Sequence, residues 1–235
     1  MVQKQNLINL NWKPTQMMVE PKIRKMKSVI ISVLALFLVA CEGKKEVQLP
    51  KSNQSLVTTI GEHSPVYIFF ALKGKDTVAE LNRSNTISST HWVFTIDKRL
   101  PLRLVIPEVM KMQAKKEKSM HKSETSENYF SYADSLHKNL AFVSFTNVTY
   151  KMEQPKFGTI ILFTSKNTVI VDAKEINKTA LQDYLNQLPS DKKRTLCFGF
   201  PKESSFDGYL QHQIFIQGLQ FKGFNANVPR QEFVF

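Results

Sequence analysis

Cys41 is the residue whose neighbours constrain its chemistry most. It follows Leu38-Val39-Ala40 and precedes the polar run Glu42-Gly43-Lys44-Lys45. Upstream, Ser28 to Ala40 is a short apolar stretch, and Arg24, Lys25 and Lys27 form a basic flank before it. A basic flank, a short apolar core and a small residue at the cut form the secretory signal pattern. A thiolate is the strongest nucleophile a side chain offers, so a cysteine at that cut is suited to covalent attachment.

The other reactive side chains are scattered. The five histidines (63, 91, 121, 137 and 212) form no His-x-x-x-His pair and no cluster with cysteine, so no metal-ligand spacing is legible. There is no Gly-x-Ser-x-Gly elbow and no phosphate-cradling glycine loop. No catalytic residue, metal or cofactor is expected. Asp97 and Asp207 fall near expected strand-to-helix turns, where helix capping is favoured over acid–base chemistry. His91-Trp92 is either a sugar-stacking patch or, preferably, part of the core. Lys111, Lys115, Lys116, Lys118 and Lys122 form a basic run, which is a surface for a partner or a membrane or else a solvated helix end. Cys197, in Thr195-Leu196-Cys197-Phe198, is expected to be buried and inert.

Leu38-Val39-Ala40-Cys41 resembles the lipobox of bacterial lipoproteins. The resemblance implies a diacylglycerol on the Cys41 thiol, cleavage before Cys41 and acylation of the new N-terminus. Two or more chains anchor stably, whereas one alone is marginal. Glu42, where an aspartate would favour retention at the inner membrane, implies the outer membrane, facing the periplasm. Residues 1–25 are expected to be an extension before the true signal, with Met17, Met18 or Met26 as candidate starts.

The whole chain has 235 residues, 42% of them hydrophobic, and a net charge of +12. That is room for one domain or two small ones, and 22% charged with 11% aromatic residues argues against a disordered chain. Six of the 32 lysines and arginines precede Cys41, against one of the 20 acids, so the remainder is only mildly basic. Nucleic acid is not an expected partner. Two cysteines exclude a disulfide framework.

Periodicity then places the elements. Residues 42–64 are polar and read as a tether. Val66–Leu72 and Thr77–Leu81 read as a hairpin about Lys73–Asp76, and His91–Ile96 as a strand. A helix is expected from Pro101, with Pro107 either kinking it or marking its start. Residues 123–138 read as a second helix or an ordered insertion, and Leu140–Phe145 as a strand that Val148–Tyr150 continues or answers. A second hairpin is expected over Phe157–Thr164 and Thr168–Val171, with a turn at Ser165-Lys166-Asn167. A short helix capped by Asn177 or Thr179 follows and ends at Pro189-Ser190-Asp191. Arg194–Phe200 reads as a strand, a helix opens at Ser204 or Ser205 and closes near Gly218, and the tail from Gln220 packs.

The two halves match in places. Lys75-Asp76-Thr77-Val78 matches Lys166-Asn167-Thr168-Val169. At a different offset Phe94, Lys98, Leu102, Ile106, Met110 and Gln113 meet Phe198, Lys202, Phe206, Leu210, Ile214 and Gln217. Either the first half is the same hairpin–helix–strand–helix unit without its middle helix, or two ordinary α+β stretches coincide.

Residues 157–218 resemble the periplasmic domain of the ExbD/TolR family of energy-transducing accessory proteins. The match is carried by Thr168–Val171, Ile176-Asn177, Leu181, Tyr184 and Leu185, the run Leu196–Phe200, and Phe206-Asp207-Gly208-Tyr209. Phe94–Asp97 and Leu102–Met110 have the same cadence. The family carries a transmembrane helix with an aspartate on a proton path. Ser28–Ala40 has no acid, so the resemblance implies only the soluble fold and its binding of protein partners or the cell wall.

The expectation is therefore an α+β fold, with helices packed on one face of small antiparallel or mixed sheets. Residues 1–40 are a signal, 41–64 a lipidated cysteine and tether, and 65–150 and 151–235 two α+β units. The expected function is that of a non-enzymatic, lipid-anchored envelope protein that binds a protein partner, with glycan or peptidoglycan binding as the alternative.

Overall fold

A computed structural model describes residues 45–164, 167–187, 195–220 and 230–235. The first half contributes β1 (Lys51–Ser52), β2 (His63–Lys73), β3 (Asp76–Asn82), β4 (His91–Ile96), helix α1 (Leu102–Glu117), β5 (Asn128–Asp134) and β6 (Leu140–Ser144). The second contributes β7 (Val148–Lys151), β8 (Thr159–Phe163), β9 (Thr168–Val171), β10 (Lys174–Asn177), helix α2 (Leu181–Gln187), β11 (Leu196–Phe200), helix α3 (Phe206–Gln217) and β12 (Arg230–Val234). A single 3-10 turn, Lys178–Ala180, leads into α2, and Asn177 caps it by accepting from the Thr179 amide.

The strands form two six-stranded mixed sheets, so the class is α+β. In the first, β2, β4 and β5 are parallel, β3 closes one side as a hairpin with β2, and β6 closes the other against β5. In the second, β8, β11, β12 and β7 are parallel, with β9 and β10 added antiparallel beyond β8. The change of sheet falls between Ser144 and Val148, so β7 already belongs to the second half.

The two sheets share one plan. Each has an antiparallel hairpin, then a strand parallel to the hairpin's first, then a helix, then a further parallel strand. β10, the 3-10 turn and α2 occur only in the second half. At the same place in chain order the first half has only the short connection from Asn82 to His91. The helix match is also in register. Phe94 and Phe198 sit on equivalent central strands, and Gln113 and Gln217 both donate from their side chains to backbone carbonyls, of Val148 and Ser144.

The hairpin match needs correction. With Phe94 and Phe198 equated, their neighbours Val66 and Ile161 are equivalent, and the rung Ile68–Leu81 corresponds to Phe163–Val169. Val169 therefore corresponds to Leu81, not Val78. The first hairpin is simply longer, and the likeness of its turn sequence to 166–169 is out of register. Lys166 itself lies outside the described residues.

The two halves share a core. Phe130 on β5 stacks on Phe145 at 3.8 Å and meets Phe206 and Tyr209 of α3 edge-on at 5.3 and 6.1 Å. Tyr209 also meets Phe200 of its own sheet at 5.0 Å. Helix α3 is accordingly buried on most of its circumference. Ser205 is its N-cap, accepting from the Gly208 amide at 3.2 Å, and Asp207 lies in its first turn, where the helix dipole favours a negative charge.

Helix α1 starts at Leu102 and runs through Pro107. Pro107 and Arg103 are both exposed, so the carbonyl that Pro107 leaves unbonded faces water. Two further expectations are corrected. The stretch 123–138 contains β5, whose Tyr129, Phe130 and Tyr132 are buried on both faces; with both faces covered, no alternation marks it as a strand. The expected tether is part of the fold from Gln48 onward. β1 takes the edge of β5 beyond the end of β4, while Val57 and Ile60 cover Val93, Tyr129 and Phe142.

Candidate functional site

The side chains named from the sequence do not converge. Leu38, Val39, Ala40 and Cys41 lie outside the described residues. Trp92 is 0% exposed and donates from its indole to the Ile87 carbonyl at 2.8 Å, so it is a core residue and offers no ring to a sugar. Cys197 is buried, with burial pushing its thiol pKa up, and it donates weakly to the Phe157 carbonyl. Among the described residues no group of three or more His, Cys, Asp or Glu is placed to hold a metal.

Asp97 is a latch. Its carboxylate is fully buried and accepts from the Arg99 guanidinium through both oxygens, at 2.9 and 2.8 Å, and from the amides of Arg99 and Gln48. Burial alone would raise its pKa; the guanidinium and amide donors outweigh that and hold it below the usual carboxylate value. Arg99 is in turn stacked over Phe70 at 4.2 Å. With every donor accounted for, Asp97 ties the N-terminal segment to the end of β4 and is not poised to move a proton.

The lysine run divides. Lys111, Lys115, Lys118 and Lys122 are exposed. Lys116 is 1% exposed and is corrected from surface to core. Its ammonium donates to the Glu127 carbonyl and to Asn128 Oδ1, both at 3.1 Å, beneath the Trp92 ring. The register explains the split: Lys116 continues the apolar stripe Leu102, Val105, Val109 and Met112 by one more turn.

One serine, histidine and aspartate do meet, although no motif spacing marks them. Ser55 and His137 Nδ1 both bond Asp134 Oδ2, His137 at 2.7 Å, and Ser55 Oγ is 3.4 Å from the same Nδ1. A nucleophile–base–acid relay needs serine and aspartate on opposite ring nitrogens. Here both use Nδ1, and the serine hydroxyl is spent on the carboxylate. Asp134 Oδ1 also accepts from the amides of Leu136 and His137. The cluster shapes the β5–β6 turn. The Ser55 hydroxyl, then His137, hold the Asp134 pKa far below the usual carboxylate value.

A polar cleft of about 490 Å³ lies between β3, the segment after it and α1, lined by Lys45, Phe69, Glu80, Arg83, Ser84 and Lys115 among others. Lys45 pairs with Glu80, and Lys115 reaches Thr86 Oγ1 at 3.4 Å. It is open and carries more positive than negative charge, an arrangement able to hold an anionic group but with no nucleophile and base in contact.

Comparison of the chain with models of protein families, with curated protein sequences and with solved structures finds no match.

Proposed function

We propose that this chain is a lipid-anchored cell-envelope protein, acylated at Cys41, whose folded part binds a protein partner in the periplasm without catalysing a reaction. The observation that carries the reading is the order of basic flank, apolar stretch and Leu38-Val39-Ala40-Cys41. The chain joins the fold from Gln48 onward, seven residues after Cys41, which suits an anchor on a short lead. No helix among the described residues is long and apolar enough to cross a membrane. The sequence resemblance of residues 157–218 to ExbD/TolR periplasmic domains makes an accessory role beside such an energy-transducing system part of the proposal. Burial of Trp92 weighs against the glycan-binding alternative.

The test is in-cell crosslinking of the tagged protein with Cys41→Ala as the unanchored control, read by mass spectrometry. Recovery of energy-transducer subunits with the anchored form, lost with the variant, is expected. Recovery of wall fragments alone overturns the partner reading. A protein that leaves the membrane fraction no more readily with Cys41→Ala overturns the anchor.

A further inference from the structure

The polar cleft is the feature that the proposed function leaves unused. Three cations from distant parts of the chain line it: Lys45 before β1, Arg83 after β3, and Lys115 on α1. Lys111 and Lys118 extend it along the helix, since positions 111, 115 and 118 lie on one face and all three side chains are exposed. Carboxylates answer some of this charge: Glu80 pairs with Lys45, Glu108 with Lys111, and Glu117 with Lys122. Among the described residues Arg83, Lys115 and Lys118 take part in no ion pair.

The position of Lys45 identifies the partner. It is four residues after Cys41, so an extended chain places the two Cα atoms no more than about 14 Å apart. If Cys41 carries acyl chains, this cleft is held close to the headgroup layer. Cations held within about one Debye length, roughly 8–10 Å, of an anionic lipid surface each contribute about 1 kcal/mol, or roughly a fivefold gain in binding.

We infer that the Lys45–Arg83–Lys115 cleft docks on anionic phospholipid headgroups and so sets the orientation of the anchored domain on its membrane. This rests on acylation of Cys41. The domain then presents a fixed outer surface to its protein partner and does not tumble on its lead.

The test uses the purified mature protein, whose intact mass first reports whether Cys41 is acylated. The protein is then placed in vesicles of phosphatidylcholine alone, or with about one-third phosphatidylglycerol, and lysine reactivity toward an amine-labelling reagent is mapped by mass spectrometry. Protection of Lys45 and Lys115 by about threefold or more on the anionic vesicles is expected, reversed by high salt and absent from the double variant Arg83→Glu, Lys115→Glu at Lys45. Inorganic phosphate in solution is expected to give no such protection. Equal labelling on both vesicles, or protection that survives charge reversal, overturns the docking while leaving the anchor standing. If the mass shows no acyl chain, the anchor reading fails, and co-sedimentation with the same two vesicle types decides the cleft separately: equal recovery overturns it.

Discussion

Pro101 and Ser205 face each other across an isolated antiparallel bridge, and each is the N-cap of its half's long helix. They occupy matching places in the two halves, each just ahead of the long helix that follows a central parallel strand. The flanking bonds obey the same relation. The Leu102 amide donates to the Ser204 carbonyl, and the Phe206 amide to that of Leu100; Arg103 donates to Lys202, and Asp207 to Lys98. Each pair becomes the other when the halves are exchanged. This is the reciprocity of an isologous dimer contact, here within one chain. It also solves a local problem, because the first amides of a helix have no partner inside it. Each helix has them satisfied by carbonyls of the opposite half.

The shared caps predict that the halves unfold together. Calorimetry is expected to give one transition, with equal calorimetric and van't Hoff enthalpies. Phe206→Ala, which removes the ring against Phe130, is expected to cost about 3–5 kcal/mol and to move that whole transition without splitting it. Two separable transitions would show that the halves are independent units.

His212 gives the fold an acid limit. It is packed at 4.7 Å against Phe163 and accepts at Nδ1 from the Lys178 ammonium, 3.2 Å away. Burial, and secondarily that ammonium, push its pKa down to about 3. Unfolded, the imidazole takes a proton near pH 6.5. Its contribution is therefore complete above that pH and is lost as pH falls from 6.5 toward 3, at about 1.4 kcal/mol per pH unit. His212→Phe is expected to flatten this limb in denaturant titrations at pH 7 and pH 5. An unchanged slope would mean that His212 is not held neutral.

Lys116 acts at the other end of the scale. Burial, followed by repulsion from Lys122, pushes its pKa down to about 8. An unfolded lysine keeps its proton to about pH 10.4, so between these values the unfolded chain binds the extra proton and stability rises with pH. Lys116→Met, which keeps the length of the side chain and removes the charge, is expected to abolish that rise. Chemical denaturation of both forms at pH 7.5 and pH 9.5 measures it, and parallel curves would refute the assignment.

What the sequence made legible followed local rules. β4 was read to its ends because His91–Ile96 is dense in aromatic and β-branched residues, and the Ser205 cap and Gly218 stop of α3 are local chemistry. β5 was missed because sheet and N-terminal segment bury it from both sides, a tertiary fact. The burial of Lys116 was in the helical period, but a lysine discourages that reading. The Ser55–Asp134–His137 cluster and the polar cleft draw on residues far apart in sequence, which only the topology brings together.

Glu232 marks where the second half departs from the first. The strand registers make it the counterpart of Phe130: each lies opposite the central phenylalanine of the neighbouring parallel strand. Where the first half has a ring, the second buries a carboxylate completely. It accepts from Tyr209 at 2.6 Å, from Gln213 at 2.8 and 2.9 Å, and from Arg230 at 2.9 Å, while Tyr150 bonds Tyr209 at 2.9 Å. A buried charge is tolerated only when paired, and removing one partner strands the other. Glu232→Gln and Arg230→Met are each expected to cost about 3–5 kcal/mol. Because each loss counts the same pairing, the double variant should cost less than the sum by about 1–3 kcal/mol. Denaturant titration of the four forms closes the cycle. Simple additivity would mean that Glu232 is held by Tyr209 and Gln213 alone, with the guanidinium as a bystander.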